Sequence, residues 1–217
     1  MFKRYLISAT AAGALLAGAA SAQTQATAAT DLNLRAEPSP MGEILTVIPA
    51  DGQVMVEACA ETVNWCRVEF EGTTGWAFGD YLTTRIGDET AVLYENRERA
   101  QVTTVEVTDT RAASAAGAGT MGAVIGGVLG GPIGIAAGAA IGAGLGAASD
   151  PGPQVTSYVV ENPVEPVYLE GEVVVGATVP ETVELYQVPE SEFRYIYVNG
   201  VPAVVEPAER RIVTIVR

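Results

Sequence analysis

Residues 65–82 read WCRVEFEGTTGWAFGDYL. Cys66, Val68 and Phe70 fall on one side of an extended chain and Arg67 and Glu69 on the other, the period-two alternation of a strand with one face on a core. Glu71-Gly72-Thr73-Thr74-Gly75 turns the chain, Gly75-Trp76-Ala77-Phe78 returns as a further strand, and Asp80-Tyr81-Leu82 closes the unit. Upstream, Leu32 and Leu34 alternate with polar neighbours, and Pro38, Pro40 and Gly42 impose a loop. The apolar run Ile44 to Ile48 stops at Pro49-Ala50-Asp51-Gly52, and Val54-Met55-Val56 follows. Five short strands in about 55 residues, 29–84, predict a small β-barrel.

Cys59 and Cys66 are the only cysteines. The N-terminus reads as an export signal over residues 1–22: Lys3 and Arg4, an uncharged run from Tyr5 to Ala19, then Ala20-Ser21-Ala22 before Gln23. The expected destination is the periplasm or cell envelope, where two thiols seven positions apart form a disulfide by default. With no histidine in the chain and no other cysteine, the pair makes no recognisable zinc site, and neither metal nor cofactor is expected.

Removing residues 1–22 takes away two basic residues and no acid, leaving ten basic against 26 acidic residues, a net charge of −16. So acidic a chain is repelled by phosphate backbones, which disfavours a nucleic-acid partner.

Leu32-Asn33-Leu34-Arg35, Trp65-Cys66-Arg67-Val68, Gly72, Gly75-Trp76 and Tyr81-Leu82, in that order, resemble the bacterial SH3 family across the whole first module. The spacing from Cys59 to Trp65-Cys66 resembles an exported branch of it. One departure is Glu37 before Pro38, in a turn where such domains often carry glycine. Trp76 and Phe78 are expected mainly in the core, since aromatics supply much of a small core's buried area. Trp65 points opposite to Cys66 and Val68 and is expected on an exposed surface, and Trp65, Tyr81 and Arg35 form the candidate ligand-binding set.

Residues 85–111 read as a charged connector, with Glu95 to Arg99 as a turn or short helix and a strand within Val102 to Val107. No charge then occurs between Arg111 and Asp150, and Gly122, Gly126, Gly130, Gly134, Gly138, Gly142 and Gly146 keep an unbroken spacing of four, which resembles a glycine zipper. Four residues advance a helix by 400°, so the stripe drifts about 40° per glycine and one long helix would lose it. Gly130-Gly131-Pro132 divides the run into helices expected at about 114–130 and 133–148, a hairpin over 112–149. Twelve glycines weaken such helices in water, whereas small residues at this spacing permit close helix crossing in a membrane or a homo-oligomer. Each helix would span only about 24–26 Å of a hydrocarbon core of about 30 Å. A Gly/Ala linker is the plainer alternative.

Residues 150–176, rich in Pro, Val and Glu, read as a linker with extended or edge strands. Residues 177–217 read as a small antiparallel β unit, in which Asn199-Gly200 between two β-prone runs signals a hairpin and Pro202 argues for an edge or an early interruption. Tyr195-x-Tyr-Val-Asn-Gly, Val204-Val205-Glu206-Pro207 and Arg210-Arg211-Ile212-Val213 resemble a C-terminal domain-of-unknown-function family of exported Gram-negative proteins.

The expected fold is thus mainly β with a helical insert: an SH3-like barrel, a Gly-rich helical hairpin and a C-terminal β unit. The expected function is binding or scaffolding, with a peptide, another protein or peptidoglycan as ligand, or else membrane-associated assembly through residues 112–149. Catalysis is not expected, because histidine, the commonest general base, is missing and Glu57, Glu61 and Glu69 show no selected spacing.

Overall fold

The computed structural model describes residues 24–107, 128–132 and 150–217. The expected export signal, residues 1–22, and most of the glycine stripe lie outside them. The described residues are mainly β with one α-helix.

The expected strands are all present: β2 (Leu32–Arg35), β3 (Ile44–Ile48), β4 (Gln53–Ala60), β5 (Trp65–Phe70) and β6 (Thr73–Phe78), a 3-10 turn at Gly79–Tyr81, then β7 (Leu82–Ile86). Three more strands join them: β1 (Thr24–Ala28) ahead of the expected boundary, and β8 (Glu89–Val92) and β9 (Thr104–Val105) from the connector. The strand order is β3-β2-β6-β5-β4-β1-β7-β8, with β9 parallel to β4. The interior holds Leu32, Leu34, Val54, Val56 and Val68, alternate positions anticipated from the sequence, together with Ala77, which shares their face where the sequence reading put Trp76 and Phe78 in the core. Gly75 lets β2 and β6 approach closely: a Cβ there would lie 2.7 Å from the Arg35 carbonyl oxygen and 2.8 Å from Leu34 Cγ.

The connector straps the barrel. Cys59 and Cys66 sit directly opposite in β4 and β5 and are disulfide-bonded. Beside them, Cys59 N–H donates to the Thr103 carbonyl (2.9 Å) and Glu61 N–H to that of Val105 (3.0 Å). Tyr94 Oη donates to the Ala60 carbonyl at 3.1 Å, and Thr24 Oγ1 to that of Ala100 at 3.1 Å.

Within the glycine stripe, Val128–Pro132 forms a strand, β10, parallel to β11 (Tyr168–Glu170). The first expected helix therefore does not reach residue 130, and Gly130 belongs to a strand. Gly130-Gly131-Pro132 suits extended backbone better than a helical end. Gly122, Gly126, Gly134, Gly138, Gly142 and Gly146 lie outside the described residues.

The 150–176 segment differs from the expected linker. Asp150 accepts from the Gly152 amide (2.9 Å), Pro153 occupies the first turn, and α1 (Gly152–Glu161) follows. Val155 and Val159, one turn apart, bury its inner face. The C-terminal sheet has the order β12 (Tyr186–Gln187), β13 (Arg194–Val198), β14 (Val201–Glu206), β15 (Arg211–Ile215). Asn199 (φ 52°) and Gly200 (φ 82°) form the expected two-residue turn. Pro202 lies in a central strand, not an edge: the ladder to β15 begins only at Ala203, so the missing N–H falls beyond the paired register, while the Pro202 carbonyl accepts from Val216.

This sheet is covered on both sides. Tyr195, Val204 and Val213 meet Val155 and Val159 of α1, and Tyr195 and Tyr197 hydroxyls donate to the Asn162 and Val159 carbonyls (2.9 and 3.0 Å). The alternate residues Ile196, Val198, Val201, Ala203, Val205 and Ile212 share one continuous core with the barrel. That double burial is why Tyr195-Ile196-Tyr197-Val198 is apolar on both faces.

Candidate functional site

In β2 the leucines face the barrel interior, so Asn33 and Arg35 project from its outer side. On that side lie Trp65 and Phe78, cross-strand partners in β5 and β6. Their rings meet edge to face at 5.4 Å, and Tyr81 follows 5.9 Å from Phe78. The structure thus gathers Arg35, Trp65 and Tyr81 near one end of one barrel face.

That face is not open to solvent. Trp65 is 1% exposed and Arg35 1% exposed, whereas Trp76, expected in the core, is half-buried. The alternation placed Trp65 on the correct side of β5, but that side is an internal joint against the C-terminal unit. The segment after β11 lies there: Gly171, at φ 92°, brings its backbone against Phe78, so that a Cβ would sit 3.5 Å from the ring. A side chain at this φ would be strained as well.

Glu172, fully buried, is the centre of the joint. Arg35 grips its carboxylate in bidentate fashion, through Nε to Oε2 and through Nη2 to Oε1 at 2.8 Å. Oε1 also accepts from Asn33 Nδ2 (3.1 Å) and from the Val173 amide (2.8 Å). Two further guanidinium donors reach the carbonyls of Gly42 (Nη1, 2.7 Å) and Asn199 (Nη2, 3.0 Å). Asn199 in turn accepts from the Leu169 amide (2.8 Å) and donates to the Gly171 carbonyl (3.0 Å), holding the segment to the hairpin turn. Every polar group at the centre is matched, the condition under which a buried ion pair is tolerated.

Tyr81 borders this joint, and its hydroxyl is pushed well above the ordinary phenol range, first by burial, then by the Asp80 and Glu172 carboxylates. Burial also raises the Asp80 carboxyl, opposed by hydrogen bonds from Asn64 Nδ2 to both its oxygens (3.0 and 2.8 Å) and reinforced by Glu95. Cys59 and Cys66 are buried in the core, and the neighbouring cation Arg67 points to solvent and pairs with Glu57 at 2.9 Å. The disulfide is a staple buried in the shared core. Among the described residues no group of three or more Cys, Asp or Glu could hold a metal ion, and no helix is long and apolar enough to cross a membrane.

Sequence reasoning missed Asn33, Glu172 and Asn199. The available signal was Leu169-Glu170-Gly171-Glu172-Val173-Val174-Val175, in which one acid precedes a run of valines that must be buried somewhere.

Residues 30–83 match the family model of the Bacterial SH3 domain, and residues 158–217 match a Domain of unknown function, DUF1236. The first match coincides with the barrel. The second begins within α1, so it takes in the Glu172 segment as well as the C-terminal sheet. No curated protein matches the chain. A bacterial SH3 domain suggests a binding or scaffold role.

Proposed function

We propose that this is an exported cell-envelope protein that acts by binding, its barrel engaging a peptide, a protein or a peptidoglycan strand and its C-terminal unit completing a rigid scaffold. The observation that carries the reading is the match of residues 30–83 to the Bacterial SH3 domain, on a barrel stapled by Cys59 and Cys66. The leader-like residues 1–22 and the disulfide agree with export. The absence of histidine favours a binder over a catalyst.

With Arg35 and Trp65 inside the joint, the surface left for an outside ligand includes half-buried Trp76 and the exposed apolar pair Met41 and Leu45 (45% and 42% exposed). Leu45 is the unpaired residue of a bulge between β2 and β3, which turns its side chain outward. The test is co-sedimentation of residues 23–217 with purified peptidoglycan and capture from an envelope protein extract. Retention by either one, lost in Leu45→Asp, is expected; no retention by either overturns the reading.

The period-four glycines favour a second reading, assembly at a membrane through residues 112–149. Fractionation without detergent decides it: a wholly soluble monomer counts against it.

A further inference from the structure

We propose that the barrel face formed by Asn33, Arg35, Trp65, Phe78 and Tyr81 is a receptor for the C-terminal unit itself, with Glu172 as the recognised group. The contact holds without the covalent link, so a second copy of the chain can supply that unit. This deepens the binding reading by naming the ligand of one barrel face.

The geometry is that of recognition as much as of packing. A single carboxylate takes two guanidinium donors and one carboxamide donor from the barrel, and Arg35 then reaches past it to the Asn199 carbonyl on the C-terminal hairpin. A planar, bidentate arginine fork specifies position and orientation in a way that apolar burial alone does not. Gly171 takes up φ 92° without the strain a side chain would meet there, and so lays its backbone beside Phe78. Around this centre, Leu169, Val173 and Val174 join the barrel's own core residues, so the contact has a polar key within an apolar seal.

The connection between the two partners is long. With β10 paired to β11, the stretch that bridges the barrel to the C-terminal unit is the twenty residues 108–127, so the chain that delivers the C-terminal unit to its own barrel need not be the chain that uses it. Tethering favours the intramolecular contact in dilute solution, and exchange between copies grows with their local concentration. Only another copy reproduces the carboxylate, the Gly171 backbone and the apolar seal together, which makes it a better competitor than a short acidic peptide.

The experiment cuts the folded chain in place. A site for a specific protease is inserted between Gly117 and Gly122, ahead of β10 so that β10 stays with β11, the protein is cleaved after purification, and the two pieces are followed by size exclusion over a dilution series. They are expected to co-elute at micromolar concentration. In cleaved Glu172→Gln, which keeps the side chain's volume but not its charge, the pieces are expected to part at about tenfold or more higher concentration. Mixing isotope-labelled and unlabelled cleaved protein at high concentration should yield mixed complexes by native mass spectrometry. Separation of the wild-type pieces at micromolar concentration, an unchanged dilution curve for Glu172→Gln, or no mixed complexes would each overturn the proposal. Should Glu172→Gln lose its fold before cleavage, Asn33→Ala, which removes one donor to Oε1, serves in its place with a smaller expected weakening. Peptidoglycan or extract binding at the Leu45 surface is measured separately, so either result can fail while the other stands.

Discussion

Arg35 and Glu172 set a sharp condition on single substitutions. Removing one partner of a buried, fully hydrogen-bonded pair leaves the other charge unmatched, at a cost of about 3–5 kcal/mol, whereas replacing both by apolar residues of similar volume is far less costly. Glu172→Ala is therefore expected to lose several kcal/mol in urea unfolding, and Arg35→Met combined with Glu172→Leu to lose much less than either single change. If the double variant is as unstable as the sum of the two, the pair contributes through something other than its mutual charge. Asp80 gives a second residue-scale expectation, this one in pH. Its folded-state carboxyl titrates above the ordinary range because it is partly buried. Between the ordinary value and that higher one the folded protein keeps a proton the unfolded chain has lost, so this group's contribution to stability declines as pH rises through the window. Asp80→Asn removes that slope: relative to wild type it should gain stability between about pH 4 and about pH 7. A constant difference across the two pH values would refute the assignment.

Among the elements, the connector most changes the meaning of the disulfide. Closing the eight-residue loop from Cys59 to Cys66 contributes roughly 2–3 kcal/mol by the loop-entropy estimate, but β9 and Tyr94 cover that edge of β4 as well. Reductant should therefore lower the thermal midpoint, while the native bond should react with thiol reagents only slowly until the strap opens. Fast reduction of the folded protein, or a midpoint indifferent to reductant, would contradict this arrangement. The strands themselves were legible because their signals are local: period-two burial in β5, the Pro49 to Gly52 break, and Asn199-Gly200. The joint was not, because its determinants give no local sign of one another, even though Arg35 stands among the candidate ligand-binding residues. Asn33 and Arg35 read as the solvent side of a strand, and Glu172 as one more acid in an acidic chain. Only the tertiary pairing of residues 137 positions apart turns them into a buried cluster. Likewise, alternation gives Trp65 its face but not its medium, since it tells which residues share a side and not whether another layer covers it.

At the scale of the whole molecule, two family-matched segments share one core. Ile196, Val198, Ala203, Val205 and Ile212 belong to the same apolar cluster as Leu34, Trp65 and Val68. A barrel this small buries too little surface to be very stable alone, and the C-terminal sheet without it would expose an entire apolar face. Each part therefore completes the other, and the described residues 24–107 and 150–217 should unfold in one cooperative step. Amide hydrogen exchange can resolve this, because β5 and β14 lie in different units. If the units are coupled, the amides of Val68 and Val204 open only with global unfolding and show the same free energy of opening, with the same denaturant dependence. If the C-terminal unit opened first, Val204 would exchange at a lower free energy and a smaller denaturant slope. Glu172→Gln sharpens the measurement, since weakening the polar centre should separate the two values, with β14 opening below β5. Equal values in the wild type together with a split in the variant are expected; a split already present in the wild type would mean that the shared core does not couple the two units.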